Sequence, residues 1–206
     1  MSFIQTITPR QATGEVRAMY ERQQAHWGYV PNYAKAFSHR PEVLALWGKL
    51  LAEIRRPVDA RRFELITFAA AHALRSTPCA LAHGKALTQF LSADEVVSLV
   101  ELGDAKTLSA GERTMMAFAR KVACDACSVD QADTDALRSH GFGDADIFDI
   151  VAIAAGRAFF TKMLDGLGVL ADASASNMDE GLRRALTVGR PIDQGATECL
   201  TPLCDN

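Results

Sequence analysis

With 206 residues, 49% of them hydrophobic and only 7% aromatic, the chain can bury one substantial core but not two large ones, and it is not a disordered polymer. Its 22 Lys and Arg against 25 Asp and Glu leave a formal charge of -3, so it lacks the clustered positive field on which nucleic-acid binding rests. Even its most apolar stretch, Ile147 to Phe160, carries Asp149 and Arg157 where a membrane span needs about 20 apolar residues, and Met-Ser-Phe-Ile-Gln-Thr at the start has no basic-then-apolar export pattern; a soluble, cytoplasmic protein is expected.

In chain order, residues 16–25 read as a polar opening helix, followed by a loop, Gly28-Tyr29-Val30-Pro31-Asn32. Pro41 begins an amphipathic helix through Ile54, which Arg55-Arg56-Pro57 breaks. Asp59 suits an N-cap for a helix from Ala60 to about Leu74, and its stretch 63–71 is apolar on nearly every side, the mark of a buried helix. After a break at Ser76-Thr77, a second helix is expected from Pro78 to about Phe90. Ser92 with Glu95 and Ser109 with Glu112 each form the Ser-x-x-Glu pattern of a capping box, announcing two more helix starts. Helices at about 131–139 and 144–164 follow, the latter stopped by Gly166 and Gly168. No period-2 strand appears, so the expected class is all-α.

Two stretches echo others about 50 residues further on: 63–69 resembles 114–119, and 92–97 resembles 143–148. This suggests two related helical units. The composition changes after Ala171, through Ala-Ser-Ala-Ser-Asn, a short helix at 179–186 and Gly189-Arg190-Pro191. We divide the chain into a helical domain, 1–172, and a C-terminal extension, 173–206, expected to wrap the surface or a neighbouring subunit.

Five cysteines, an odd number, are too few for a disulfide framework in a chain of this length, and the thiols should be mostly reduced. Cys79 stands apart from the rest. Ser76-Thr77-Pro78-Cys79 reads as a helix entrance, with a hydroxyl to cap, a proline in the first turn and a cysteine just inside. The positive end of a helix favours thiolate, the species that attacks peroxides and disulfides. His83, four residues on, shares the face of Cys79. Folding the two helices into a hairpin brings Glu64 toward His83, and a carboxylate in so apolar a helix needs such a partner. Taken singly, each has an ordinary reading: a buried thiol, a core or rim histidine, a carboxylate facing water beside Arg61.

Other candidates carry less. Cys124-Asp125-Ala126-Cys127 is a true Cys-x-x-Cys, but a helix C-terminus disfavours thiolate there; with Cys199 and Cys204 it would make a four-thiolate zinc site only if the tail folded back. His72, Met115-Met116 and Phe159-Phe160 read as core or subunit-contact residues. No phosphate-cradling glycine pattern and no His-x3-His pair occurs, so no cofactor and no metal are expected.

Glu64, eleven residues, Ser76-Thr77-Pro78-Cys79, three residues and His83 together resemble the Glu-x11-Cys-x-x-Cys-x3-His signature of the alkylhydroperoxidase D (AhpD) and carboxymuconolactone decarboxylase superfamily. The loop at 28–32, the segment 108–121 and Asp165-Gly166-Leu167-Gly168 resemble further parts of it, so the likeness runs from about residue 3 to 172, in particular to the members called peroxidase-related proteins. The resemblance implies an AhpD-like helical bundle, a homo-oligomer between dimer and hexamer, and a site that reduces small-molecule hydroperoxides at the expense of a thiol reductant. By position, Cys79 matches the second cysteine of the signature, His83 its histidine and Glu64 its proton-relay glutamate. Ser76, Pro78, Pro31 and Asn32 are expected to line the pocket or cap the helices around it. Two departures stand out: Ser76 replaces the first cysteine, and Thr161-Lys162 stands where many members have Asn-Arg. The competing functions are a lyase or isomerase using His83 and Glu64 as acid and base, and a helical assembly protein without catalysis.

Overall fold

The computed structural model describes residues 2–195, and within them the chain is all helix apart from one isolated parallel bridge between Ala171 and Ile192. Ten α-helices follow one another: α1 (Gly14–Trp27), α2 (Asn32–Ala36), α3 (Pro41–Arg55), α4 (Ala60–Ala73), α5 (Thr77–Leu87), α6 (Ala93–Glu101), α7 (Ala110–Asp125), α8 (Gln131–Ser139), α9 (Asp144–Gly166) and α10 (Glu180–Leu186). Helix α4 is the axis of the molecule. Every residue from Phe63 to Ala71 is buried, because α5, α7 and α9 each pack against a different side of it.

Local chemistry sets most of the boundaries. The Asp59 carboxylate accepts the Arg62 amide at 2.9 Å and starts α4. Both expected Ser-x-x-Glu boxes are closed, at α6 and α7, and Asp130 with Asp133 forms a third at α8 that the sequence reading passed over. Helix α1 is longer than expected and stops where Gly28 takes φ +80°. The loop after it contains an unforeseen short helix, α2, which Pro31 introduces from an extended conformation. Helix α5 begins one residue earlier than expected, with Pro78 inside its first turn, and ends at Leu87 rather than Phe90.

Two apolar clusters share the interior. The larger joins α4, α6, α7 and α9 with Leu182, Leu186 and Ile192 of the C-terminal segment. That segment was expected to wrap the surface or a neighbouring subunit; its α10 lies on α5 and α6 of the same chain, with Leu186 fully buried. The smaller cluster ties α1, α2 and α3 to the far end of α9, through Met19, Tyr20, Val30, Phe37, Leu44 and Phe160, and it includes Cys79.

The turn between α4 and α5 is fastened twice. Ser76 N–H reaches back to the Ala71 carbonyl at 3.2 Å while Arg75 adopts φ +56°, a left-handed conformation uncommon for a residue with a side chain. From outside, Arg75 Nε donates to the Val188 carbonyl at 3.2 Å, and Gly189 N–H donates to Thr77 Oγ1 at 2.9 Å. A Cβ at residue 189 would sit 2.0 Å from the Arg75 carbonyl oxygen, so this close approach requires glycine.

Candidate active site

The α4–α5 hairpin joins two of the three expected residues. Glu64 lies near the start of α4 and His83 late in α5, and folding one helix back on the other places His83 Nδ1 2.7 Å from Glu64 Oε2. Their side chains are 15% and 11% exposed, enough to leave the pair an edge toward a ligand but too little for water to solvate a charge well. Burial, reinforced by the positive charges of Arg157 and Arg55 and opposed by Glu64, pushes the imidazole down to about 4. His83 is therefore neutral near pH 7. Its Nδ1–H donates to the carboxylate, which leaves the lone pair on Nε2 free to take a proton.

The sulfur has different company. Cys79 is buried, 3% exposed, yet it is not sealed in hydrocarbon: Thr161 Oγ1 donates to Sγ at 3.5 Å and Arg157 Nη1 lies 3.9 Å from it. Both donors come from α9, four residues apart on one face. No hydrogen bond joins Cys79 to His83 or Glu64 among the described residues; the link runs through the arginine, whose charge acts on His83. Trp47 of α3 and Phe160 of α9 stack at 4.2 Å between ring centres, and Arg157 lies over both rings at 5.5 Å. The Trp47 indole N–H is held by the Gly156 carbonyl at 3.1 Å, so an aromatic wall backs the sulfur and its donors.

Arg157 entered the sequence reading only as a charge interrupting an apolar stretch. The signal was an arginine four residues before Thr161 in the otherwise apolar run 150–160, where a charge needs a purpose or a partner. Ser76 occupies the N-cap position of α5, but its hydroxyl caps nothing: it is fully buried and faces the Asp165 carboxyl instead. Asn32 is tied to the end of the helical domain and to the C-terminal segment, its backbone N–H donating to Asp172 Oδ1 at 2.7 Å and its side-chain amide to Asp193 Oδ2 at 3.2 Å. His72, half-buried, stacks on Phe68. Cys124 and Cys127 are exposed free thiols at the end of α7, the latter donating to Asp125. Cys199 and Cys204 lie outside the described residues, within which no group of three or more candidate metal ligands occurs.

Solved structures share this architecture. The alkylhydroperoxidase AhpD core of an uncharacterised peroxidase-related protein from Ralstonia eutropha JMP134 superposes with a TM-score of 0.71 at 24% identity, over 92% of this chain and 98% of that one. An uncharacterised peroxidase-related protein from Silicibacter sp. TM1040 matches at TM-score 0.67 and 27% identity, over 78% of this chain and 86% of that one. The debrominase Bmp8, as a cysteine-to-alanine variant in complex with 2,3,4-tribromopyrrole, shares the fold at TM-score 0.70 and 16% identity, over 90% and 100% of the two chains. No protein-family model and no curated protein matches the chain. Together these likenesses show an all-helical AhpD-like fold. Two of the structures that share that fold with it are of uncharacterised peroxidase-related proteins.

Proposed function

We propose that the chain is a one-cysteine thiol peroxidase, in which Cys79 reduces a small hydroperoxide and the His83–Glu64 pair relays the proton. The observation that carries this reading is the 2.7 Å bond between a neutral imidazole and a carboxylate, one helical turn from a thiol that has two polar donors around it. The proton of the thiol passes to water by way of His83 Nε2, which does not keep it because burial holds the imidazole at about 4. The thiolate attacks the terminal oxygen of the hydroperoxide, the O–O bond breaks, and its electron pair leaves on an alkoxide. The relay returns a proton to that alkoxide as an alcohol, and the sulfur, oxidised by two electrons, becomes a sulfenic acid. Because position 76 is a serine, the sulfenic acid finds no neighbouring thiol there. A small cytoplasmic thiol then condenses with it, releasing water and leaving a mixed disulfide, which a second thiol resolves to regenerate Cys79.

The test is turnover of an alkyl hydroperoxide with a small-thiol reductant. Cys79→Ser should abolish it, and a sulfenic acid probe should label residue 79 in the parent after one peroxide addition. A second reading draws on the absence of a hydrogen bond between the sulfur and the acid–base pair: His83 and Glu64 would act alone on a small organic acid, as a lyase or isomerase. Under that reading Cys79→Ser keeps activity and His83→Ala loses it.

A further inference from the structure

Arg157 presents the least compensated charge in the interior. It is 5% exposed, no carboxylate pairs with it among the described residues, and its Nε is buried without an acceptor. Among the described residues its one hydrogen-bond acceptor is Cys79 Sγ. A guanidinium is always charged, and removing one from water without a counter-ion is costly. Stacking over Trp47 and Phe160 recovers part of that cost and holds the plane in place, but a ring face does not neutralise a charge. Thr161, one turn along α9, directs its hydroxyl at the same sulfur. Two donors from one helix thus converge on an atom that, as a neutral thiol, is a poor acceptor.

We infer that Arg157 and Thr161 form a thiolate hole, and that the negative sulfur of Cys79 is the counter-ion of the buried guanidinium. The contacts at 3.9 and 3.5 Å are long, as suits donors facing a neutral thiol, and they shorten once the sulfur carries charge. The other charged and titratable groups around the sulfur are few. The neutral His83 and its Glu64 belong to α5 and α4, and Arg55 lies at the end of α3. Tyr20 and Tyr33 pack into the same apolar cluster, and burial raises both phenols, Tyr33 to about 12, so neither contributes charge near neutral pH. Asp165 sits two turns beyond Arg157 on α9, and burial raises its carboxyl too. Arg157 is therefore the positive group in hydrogen-bond reach of the sulfur.

This assignment deepens the peroxidase reading, but it concerns ionisation and is measured without any peroxide. In the full-length chain, the rate of Cys79 alkylation by iodoacetamide is followed against pH by mass spectrometry of the peptide containing residue 79, for the parent, Arg157→Met, Arg157→Lys and Thr161→Val. Arg157→Met should raise the pH of half-maximal rate by about 1 unit or more and slow alkylation at neutral pH by about tenfold, leaving the high-pH plateau unchanged. Arg157→Lys should recover part of the shift, and Thr161→Val, nearly isosteric, should give a smaller displacement in the same direction. If Arg157→Met fails to fold, as judged by circular dichroism, Thr161→Val decides the matter. An unmoved half-point in folded variants overturns the assignment, as does a parent Cys79 that resists alkylation at every pH. So does a folded Arg157→Met that keeps the half-point but loses affinity for a carboxylate-bearing hydroperoxide, which would make the arginine a substrate anchor instead. A displaced half-point without peroxide turnover upholds the thiolate hole and refutes only the peroxidase.

Discussion

His83 resists protonation, and acid should expose that. In the unfolded chain an imidazole titrates near 6.5, whereas burial beside Arg157 holds it at about 4 in the fold. Between those values the unfolded chain binds a proton that the folded site refuses, so stability present above about 6.5 is lost progressively as the pH falls toward 4. His72, lowered by burial and by Arg120, works in the same direction. Urea midpoints measured across this window should fall with pH, with at most about 1.4 kcal/mol per unit attributable to each histidine. His83→Gln should flatten the slope, and an unaltered slope in that variant would place the effect elsewhere. At this scale the sequence was readable where chemistry is local. A carboxylate in the apolar run 63–71 demanded a partner, and the hairpin supplied His83. Arg157 and Thr161 were not legible as sulfur ligands, because the contacts span 78 and 82 positions and depend on how α9 crosses the hairpin, which no spacing reveals.

Helices begin and end here on short-range signals, and pair on long-range shape. The two Ser-x-x-Glu boxes could be found by eye because each is complete within four residues. The docking of α10 could not, since it depends on a small residue in a distant helix. Gly84 of α5 lets Leu186 approach so closely that a Cβ at residue 84 would lie 2.5 Å from one Leu186 methyl and 2.6 Å from the other. Leu186 has no exposed surface, so its side chain can give way only by disturbing its packed neighbours. Gly84→Ala should therefore destabilise the chain by about 1–3 kcal/mol from overpacking, reduced by up to about 1 kcal/mol from better helix propensity. Chemical denaturation measures the balance, and a stabilised variant would mean that α10 yields easily. The echo between residues 63–69 and 114–119 acquires a physical setting: these stretches lie in α4 and α7, which pack on each other at the centre. Each of these helices is followed by two more, α5 and α6 after α4, α8 and α9 after α7. The second of the two matched starts differs in its cap, Gly143 standing where Ser92 stands in the first.

On the scale of the whole molecule, apolar side chains remain outside. Leu46 and Leu50 of α3 are 63% and 57% exposed, and Phe148 and Phe159 of α9 are 70% and 42% exposed. Spacings of four residues put the leucines on one stripe, and α3 packs beside α9. We propose that copies of the chain meet over this surface, which is where the homo-oligomer implied by the sequence resemblance would find its contact. Light scattering should report a smaller species for Leu46→Glu with Leu50→Glu than for the parent; an unchanged mass would move the contact elsewhere. Among the described residues no helix is long and apolar enough to cross a membrane. The hold of Val188 and Gly189 on the α4–α5 turn has a consequence for how the nucleophile can be disturbed. The Gly189 amide bonds to a hydroxyl 112 positions earlier, two residues before Cys79, so the sulfur's seat is braced by chain made long after it. A protease nick or a fusion joint placed between α10 and Asp193 would leave every side chain of the proposed reaction in the polypeptide and still loosen the corner from which the thiol is presented.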